Sequence, residues 1–374
     1  MNKNLYSLGL MSGTSMDGID ASIIKSDGEQ FLEIIDDIYL EYDDQLKLEL
    51  KKVIDSCSSK EVFKKLSNSI NDLENKITLK HSQACKLIIK KYKNLKIDII
   101  GFHGQTILHK PQDGYSIQVG DSKLLSKVTN TTVVSNFREN DILNGGQGAP
   151  LAPLYHYLIL SKIKSNLPTA LVNIGGIANI TYVENQNKII AFDTGPGNYL
   201  IDKWVRANSK MEYDSRGQLA KSGQLNEKIL EKFLSNPYYK KKSPKSLDVK
   251  DFNLQDLYSL SLEDGCATLS MLTVKSICMA LHSFKNLPNL ILLSGGGRKN
   301  KYIFDNIKKE FGNSIMLIDD FNLKKDFSAG LNGDFIESQA FAYLAIRSYL
   351  KKFITFPTTT GVKKPCLGGL VYKS

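Results

Sequence analysis

The sequence has few arginines and few cysteines, and both scarcities exclude classes of protein. Only five of its 49 basic residues are arginines, although arginine is the residue best suited to fork-like contacts with phosphates and base edges. Its five cysteines have no paired spacing, and they lie at Cys57, Cys85, Cys266, Cys278 and Cys366. A structural zinc site is therefore disfavoured, and the odd, scattered count is typical of a reducing compartment.

Long apolar runs and clustered charge are also missing. No run reaches the roughly 18 apolar residues that a membrane helix needs, and the N-terminus has no signal-peptide pattern. We therefore expect a cytoplasmic protein without a membrane partner. The formal net charge is +10, but the lysines are spread along the whole chain. Such a dispersed excess predicts a solvated surface and no nucleic-acid partner, because nucleic-acid binding needs a clustered basic face.

Several catalytic signatures are absent as well. The glycine-rich stretch near the N-terminus lacks both the Gly-Lys-Ser/Thr ending of a P-loop and the spacing of a dinucleotide fingerprint. No HExxH helix is present, and none of the five histidines pairs with a serine in a G-x-S-x-G turn. Serine-hydrolase chemistry is therefore disfavoured.

The chain does contain glycine loops that follow predicted strands. The first strand is predicted at residues 5–10, and the turn beside it combines glycines, hydroxyls and carboxylates, namely Gly9, Gly13, Thr14, Ser15, Asp17, Gly18 and Asp20. Glycines let the backbone approach a ligand, backbone N–H groups and hydroxyls hold phosphate oxygens, and aspartates bind Mg²⁺. The turn therefore favours one side of a nucleotide site, with a glycine hairpin that needs no ligand as the alternative.

The order of predicted elements indicates an α/β protein of about two domains. The first half has strands at 5–10, 20–25, 30–42 and 97–101 and amphipathic helices over 61–92, and the second opens near residue 130 with a strand at 131–134 and a helix at 152–162. The second half continues with a strand–turn–strand over 171–183, strands at 189–192 and 290–293, a helix ending near 208 and a last helix near 335–351. Because strands surround a glycine turn in both halves, we predict a weak duplication of architecture. The lysine-rich stretch 238–250 is predicted to be an exposed loop.

Asp193 is the strongest candidate for chemistry, because it ends a predicted strand directly before Thr194-Gly-Pro-Gly197. An aspartate there is suited to act as a general base, and helix capping is the alternative. Further candidates lie at other strand ends, with structural roles as alternatives: His103, Gln105, Gly175, Gly176, Asn179 and Gly295-Gly296-Gly297. Glu337 opens the last helix, where a glutamate ordinarily complements the helix dipole.

Taken together and in this order, these loops resemble one family, anhydro-N-acetylmuramic acid kinase. The motifs that carry the resemblance are Gly9-Leu-Met-Ser-Gly-Thr-Ser-Met-Asp-Gly-Ile-Asp20, Phe102-His-Gly-Gln-Thr106, Val119-Gly-Asp121, Gly145-Gly-Gln-Gly-Ala-Pro150, Asn173-Ile-Gly-Gly-Ile-Ala-Asn179, Phe192-Asp-Thr-Gly-Pro-Gly-Asn198 and Ser294-Gly-Gly-Gly297. The resemblance extends from about residue 5 to Thr359-Thr-Gly361, which is nearly the whole chain.

The resemblance implies the actin/hexokinase/Hsp70-like ATPase fold, in which two α/β domains, each with a mixed five-stranded sheet, close on ATP in an interdomain cleft. We expect the first domain at 1–128 plus about 352–374 and the second at 129–351. The implied reaction is dependent on ATP and Mg²⁺ and belongs to bacterial peptidoglycan recycling. It opens 1,6-anhydro-N-acetylmuramic acid with water and gives N-acetylmuramic acid 6-phosphate and ADP. Family members are typically homodimers.

The resemblance also implies roles for individual residues. Asp193 matches the catalytic aspartate, and Glu337 matches a glutamate near the sugar; both are expected to be catalytic residues. The ATP contacts are expected at Gly13, Thr14, Ser15, Met16, Asp17, Gly18, Ile19, Asp20, Gly175, Gly176, Gly295, Gly296 and Gly297. Asp17 and Asp20 are the expected partners of Mg²⁺. The amino-sugar substrate is expected to contact His103, Gln105, Asp121 and Asn179.

One segment departs from the family pattern. After Pro244-Lys-Ser246 the family usually continues Thr-Gly-Arg-Glu, whereas this chain has Leu247-Asp-Val-Lys250 and so lacks the arginine of that pattern. Three alternatives to a sugar kinase remain: a catalytically silent nucleotide-dependent binding protein on the same fold, a nucleic-acid binder, and a glycosidase that uses Asp193 and Glu337 without ATP.

Overall fold

The computed structural model describes residues 4–13, 16–92, 94–162, 167–185, 188–247, 252–321 and 331–374. The strands are β1 (Leu5–Ser12), β2 (Gly18–Ser26), β3 (Leu32–Glu41), β4 (Ile99–Lys110), β5 (Tyr115–Val119), β6 (Thr132–Ser135), β7 (Thr169–Ile174), β8 (Ile177–Asn185), β9 (Lys188–Pro196), β10 (Leu290–Ser294), β11 (Ile315–Leu317) and β12 (Leu370–Tyr372). The helices are α1 (Asp44–Ser56), α2 (Lys60–Lys65), α3 (Ser67–Lys90), α4 (Ser122–Thr129), α5 (Glu139–Leu143), α6 (Pro153–Lys162), α7 (Tyr199–Asn208), α8 (Gln218–Ser222), α9 (Glu227–Leu234), α10 (Leu262–His282), α11 (Lys301–Phe311), α12 (Ile336–Tyr349) and α13 (Pro357–Thr360).

The chain divides by its contacts into two compact units. The first is built mainly from Met1–Leu158 and Phe335–Ser374, and the second from Ile159–Asn322 with Asn332–Asp334. This division differs from the boundaries expected at 128/129 and 351/352. The physical reason is that β6 pairs with β4 in the first sheet and that α12 packs against β1 and β4.

The first unit contains a seven-stranded mixed sheet in the order β12-β6-β4-β1-β2-β3, with β5 paired to β4. Five strands were expected, and the two additional ones have simple origins. The chain turns back after β4, and β5 pairs antiparallel with β4 as a hairpin. The C-terminal strand β12 pairs antiparallel with β6.

Helix α12 lies directly on this sheet because two strand residues are glycines. A Cβ at Gly9 of β1 would lie 1.9 Å from the carbonyl oxygen of Ser338, and one at Gly101 of β4 would lie 2.2 Å from that of Phe341. Any larger residue at either position would push the helix away from the strands. This close approach fixes the start of α12, where Glu337 lies.

The second unit contains a five-stranded mixed sheet in the order β11-β10-β7-β8-β9. Each sheet contains an antiparallel meander of three strands, β1-β2-β3 in the first and β7-β8-β9 in the second. In each, the first strand of the meander also pairs in parallel with a later strand, β1 with β4 and β7 with β10. The predicted duplication and the predicted α/β class with a mixed sheet in each half are therefore confirmed.

Helix α10 forms the core of the second unit and was not predicted. Among the described residues, α10 is the one helix that is long and apolar enough to cross a membrane. However, 78% of its most apolar 18-residue window is buried within the protein. Its Gly265 lets the indole of Trp204 pack against the helix backbone, and that indole donates a hydrogen bond of 3.0 Å to the carbonyl of Leu262. These contacts are those of a core helix.

Candidate active site

A row of polar residues crosses the sheet of the second unit. Cross-strand pairing places Ser294 of β10 beside Asn173 of β7, Asn173 beside Asn179 of β8, and Asn179 beside Asp193 of β9. Directly paired residues share one face of a sheet. The row lies where β7 and β10 end, and ligands of α/β sheets bind at the carboxyl ends of parallel strands.

Two members of the row have unusual surroundings. The Oδ1 atom of Asn179 is buried and has no hydrogen-bond partner among the described residues, and a buried acceptor of this kind is costly unless a ligand or water satisfies it. Asp193 is only 6% exposed. The register shifts immediately after Asp193, so that Thr194 is the extra residue of a β-bulge. Bulges of this type reorient side chains next to functional sites.

Three glycine turns meet beside this row. The N–H of Asn198 donates to the carbonyl of Gly175 at 2.8 Å, and that of Gly197 donates to the carbonyl of Gly176 at 2.9 Å. Gly295 has a φ of +76°, and a Cβ there would lie 2.5 Å from Oδ1 of Asn173. The sequence predicted these turns separately, and the structure brings them together.

The surface of these turns is partly open. A Cβ built on Gly175 would meet no heavy atom closer than 3.5 Å, and one on Gly296 none closer than 3.8 Å. By contrast, a Cβ on Gly297 would lie 2.3 Å from the side chain of Ile174. The first two glycines therefore leave their backbone accessible to a ligand, while the third is required for packing.

Asp193 is held by the segment 238–247, which was predicted to be an exposed loop. That prediction was wrong for its ends, since Tyr238, Ser246 and Leu247 are buried. The backbone N–H of Leu247 donates to Oδ2 of Asp193 at 2.9 Å, the N–H of Asp193 donates to the carbonyl of Lys245 at 3.0 Å, and the Tyr238 hydroxyl donates to the carbonyl of Asp193. Residues 248–250 of the predicted loop lie outside the described residues.

In the first unit, Gln105 connects β4 to the N-terminal glycine turn. Its Nε2 donates to the carbonyl of Gly13 at 3.0 Å, while its Oε1 is buried without a partner among the described residues. Met16 has a φ of +60°, and its N–H closes the turn onto the carbonyl of Gly13 at 3.3 Å. Thr14 and Ser15, two of the expected ATP contacts, lie outside the described residues.

The rest of the turn runs into β2. Gly18 is packed against β3, because a Cβ there would lie 2.5 Å from the carbonyl of Leu40, and Ile19 is fully buried. Asp17 is exposed. Burial and the nearby charges of Asp17, Glu41 and Asp20 raise the pKa of Tyr39 to about 12. The two aspartates thus belong to a local negative field that includes Glu41, and such a field suits a cation.

No cluster of three or more metal-ligating side chains occurs among the described residues. Mg²⁺ in phosphoryl-transfer sites is typically held by one or two carboxylates together with substrate phosphates and water. Asp17 and Asp20 match that requirement in number and type.

His103 has both ring nitrogens engaged within the protein. Nδ1 lies 2.8 Å from the carbonyl of Gly104, and Nε2 accepts from Nε and Nη2 of Arg138 at 3.1 and 2.9 Å. Burial, with the Arg138 charge second, lowers the pKa of His103 well below its ordinary value. The imidazole is therefore neutral with the proton on Nδ1, and it orients Arg138.

Arg138 was missed in the sequence, although its rarity in a lysine-rich chain was an available signal. Its Nη1 donates to the carbonyl of Gly148 at 2.6 Å, within the motif Gly145–Pro150 of the family resemblance. The charge of Arg138 also acts on Glu337. Burial raises the pKa of Glu337, and the positive charge of Arg138 opposes that rise. His103, Arg138 and Glu337 therefore form one electrostatic group in the first unit.

Asp121 caps helix α4. Its Oδ1 accepts from the backbone N–H groups of Lys123 at 2.8 Å and Leu124 at 3.0 Å. One carboxylate oxygen is therefore committed to the helix N-terminus, a common role for aspartate. The expected contact of Asp121 with the sugar stays a prediction.

A family model for anhydro-N-acetylmuramic acid kinase matches residues 5–374. The chain belongs to the anhydro-N-acetylmuramic acid kinase family. A member of this family from Pelagibacter ubique is 47% identical over the whole of both chains, and one from Zymomonas mobilis is 38% identical over 98% of this chain and all of that protein. Members of this family are ATP-dependent kinases. A nucleotide is therefore a ligand to be expected at the glycine turns.

Solved structures with a related outline are much more distant in sequence. The activator of 2-hydroxyisocaproyl-CoA dehydratase from Clostridium difficile with bound ADPNP is 12% identical, with a TM-score of 0.41 over 93% of this chain and 96% of that chain. A ROK family glucokinase from Streptomyces griseus in complex with glucose and AMPPNP is 11% identical, with a TM-score of 0.37 over 91% of this chain and 99% of that chain. These values are too low to bear on function.

Proposed function

We propose that this protein hydrolytically opens 1,6-anhydro-N-acetylmuramic acid and phosphorylates its O6 at the expense of ATP. The product is N-acetylmuramic acid 6-phosphate, formed in peptidoglycan recycling in the cytoplasm. The observation that carries the proposal is the environment of Asp193, a buried aspartate at a strand end whose carboxylate accepts a backbone N–H and whose neighbours are glycine turns. Membership of the family over residues 5–374 supplies the substrate class.

Asp193 is the proposed general base. Water is a weak nucleophile, and attack on the anomeric carbon C1 needs a positioned group that takes a proton from it. The bond from C1 to the bridging oxygen then breaks, and that oxygen remains on C6 as the phosphoryl acceptor. A carboxylate fixed by Leu247 N–H at 2.9 Å loses little further freedom when substrate binds, which favours reaction.

The glycine turns are the proposed nucleotide contacts, and their geometry fits that role. Gly175 and Gly296 leave their backbone accessible to phosphate oxygens. Asp17 and Asp20 are the proposed partners of Mg²⁺ and its waters. When bound, Mg²⁺ neutralises charge on the transferring phosphates.

Glu337 is proposed to contact the sugar. Burial raises its pKa, so its carboxyl group is protonated over a wider pH range than an exposed glutamate and is suited to donate a hydrogen bond. Arg138, oriented by His103, limits this rise and adds a positive charge for the carboxylate that the substrate carries. The other proposed sugar contacts are His103, Gln105, Asp121 and Asn179. His103 would act on the sugar through Arg138, which it orients.

The protein is further proposed to be a homodimer, as is typical of the family. Light scattering during size-exclusion chromatography at micromolar concentration is expected to give the mass of two chains. A mass of one chain at that concentration would contradict the proposal.

The decisive test of the reaction follows both bonds at once. The protein is incubated with ATP, Mg²⁺ and the anhydro-sugar in ¹⁸O-water, and the product is reduced immediately with borohydride so that C1 cannot exchange its oxygen. We expect one ¹⁸O at C1, an unlabelled phosphate ester at O6 and one ADP per product. Unlabelled product held in ¹⁸O-water for the same time is the control for exchange.

Each alternative gives a different result in this experiment. A glycosidase would yield labelled sugar without phosphate and without ATP. A silent nucleotide-binding protein would bind ATP but form neither ADP nor product. Either result would overturn the proposed function.

A further inference from the structure

The segment 238–247 contacts Asp193 at three different atoms: its N–H, its carbonyl oxygen and its carboxylate. We propose that Tyr238 and Lys245 are positioning residues that hold Asp193 for proton transfer. This inference rests on the proposed function, because it assumes that Asp193 is the base. Neither residue is assigned a contact with substrate.

Tyr238 acts on the backbone of Asp193. Its side chain is 2% exposed, and its hydroxyl donates to the carbonyl oxygen of Asp193. That carbonyl belongs to the peptide leading into the bulge at Thr194, where regular strand pairing is interrupted. The Tyr238 hydroxyl therefore supplies a fixed partner at the point where the regular pairing of β9 with β8 is interrupted.

Lys245 acts on both Tyr238 and the charge of Asp193. Its Nζ lies 4.4 Å from the centre of the Tyr238 ring and donates to the Tyr238 carbonyl at 3.2 Å. Burial lowers the pKa of Lys245, the nearby Lys241 lowers it further, and Asp193 opposes both. These two contacts of the ammonium group hold the tyrosine in place, and the positive charge of Lys245 favours the ionised form of Asp193.

Leu247 completes the set through its backbone. Because its N–H, and not its side chain, donates to Asp193, any residue other than proline at this position retains the donor. The departure from the family pattern begins at Leu247, yet it leaves this contact to Asp193 intact.

The first test compares Tyr238→Phe with Tyr182→Phe. The Tyr238→Phe variant loses the hydroxyl donor but keeps the ring that contacts Lys245. Tyr182 is the matched control, since it is equally buried and its hydroxyl also donates to a backbone carbonyl, that of Asn286 at 2.8 Å, away from Asp193. We expect kcat to fall about 10- to 100-fold for Tyr238→Phe only, as misplacement of a reacting group does, with KM for ATP changed less than about twofold and equal melting temperatures. Equal kcat values in the two variants would overturn the role of Tyr238.

The second test follows the pH dependence of kcat/KM in Lys245→Gln. Loss of a nearby positive charge makes a carboxylate easier to protonate, so the acidic limb is expected to move to higher pH by about one unit. Lys241→Gln is the control, because Lys241 is exposed and its Nζ lies 5.9 Å from the same ring. Equal shifts in both variants would overturn the role of Lys245.

Asp193→Asn separates this inference from the proposed function. If that variant keeps normal turnover, the base assignment fails and the positioning inference fails with it. If Asp193→Asn is inactive while Tyr238→Phe and Lys245→Gln behave like their controls, only the positioning inference fails.

Discussion

Asp193 is oriented by residues that are distant from it in the sequence. Its location at a strand end before Thr194-Gly-Pro-Gly197 was readable from the sequence. Its partners Tyr238 and Leu247 were not, because they follow 45 and 54 residues later in a stretch whose lysines suggested solvent. The local pattern therefore predicts the candidate base but not the groups that orient it.

Asp193→Asn is expected to lower turnover about 10²- to 10⁴-fold, the usual contribution of a general base. The amide keeps the shape of the side chain but cannot accept a proton at neutral pH. ADP formation with the anhydro-sugar measures the loss, and calorimetric titration is expected to give near-normal ATP binding. Asp256→Asn is the control, because Asp256 forms an exposed ion pair with Lys232. Normal turnover in Asp193→Asn would contradict the assignment.

At the scale of single elements, a buried arginine holds one of the glycine turns in place. The glycine turn that begins at Gly295 is fixed by Arg298, whose Nη1 donates to the carbonyl of Gly295 at 3.0 Å. The same guanidinium contacts Asp319 through Nε at 2.5 Å and Asp334 through Nη1 at 2.6 Å. A buried cation thereby connects the turn to the segment Asn332–Asp334.

Arg298→Met is expected to destabilise the second unit by about 3 kcal/mol. Removal of one partner of a buried ion pair leaves the other uncompensated, and the partial exposure of Asp319 and Asp334 keeps the cost at the low end of the usual range. Lys299→Met is the matched control: Lys299 pairs with the same Asp334 but is exposed, so its loss costs at most about 1 kcal/mol. Chemical denaturation measures both, and equal losses would contradict this account.

A second element-scale contact joins β3 to α12. Both carboxylate oxygens of Asp37 accept from Nε2 of Gln339 at 3.0 Å, and the Tyr155 hydroxyl donates to Oε1 of the same glutamine at 2.7 Å. Burial raises the pKa of Asp37 to about 6, although hydrogen bonds from Ser22 and Gln339 oppose the rise. The folded state therefore takes up this proton at a higher pH than the unfolded state does.

Stability is expected to depend on pH through Asp37. Because its pKa is higher in the folded state, its contribution is least favourable above pH 6 and improves as pH falls through 6, by about 1 kcal/mol between pH 8 and pH 5. Asp37→Asn is expected to lack this gain, whereas Asp36→Asn retains it. Melting temperatures of the variants across this range measure the difference, and parallel curves for wild type and Asp37→Asn would contradict the prediction.

Element prediction succeeded where a pattern was local and periodic. The strands around both glycine turns, the helical stretch over 61–92 and the last helix were all predicted. Helix α10 was not, because it is buried on nearly every side and so lacks the amphipathic period that reveals a helix. The additional strands β5 and β12 were also missed, since their existence depends on pairing with β4 and β6.

On the scale of the whole molecule, the net charge of +10 is not organised for a polyanion. Four of the five arginines donate to groups of the chain itself: Arg138 to His103, Arg206 to the carbonyl of Glu212 at 3.3 Å, Arg298 to Asp319, and Arg347 to the carbonyl of Gly28 at 2.7 Å. The remaining excess consists mostly of dispersed lysines, which favour solubility more than specific recognition.

Duplex DNA is therefore expected to bind with a Kd weaker than about 10⁻⁴ M at 0.15 M salt, at or beyond the weak end of non-specific binding. Fluorescence anisotropy with a labelled 20-base-pair duplex measures this, and a titration at low salt serves as a positive control for the assay. Binding in the micromolar range at 0.15 M salt would instead indicate an organised basic face.

Helix α10 also has a consequence for synthesis of the chain on the ribosome. Its packing partners α7, α8, α9, β8 and β9 precede it in the sequence, and α11 follows it. When this apolar segment emerges, most of the surface that covers it has already been made. The order of elements thus shortens the time for which a nascent helix of this hydrophobicity is open to capture by membranes or chaperones.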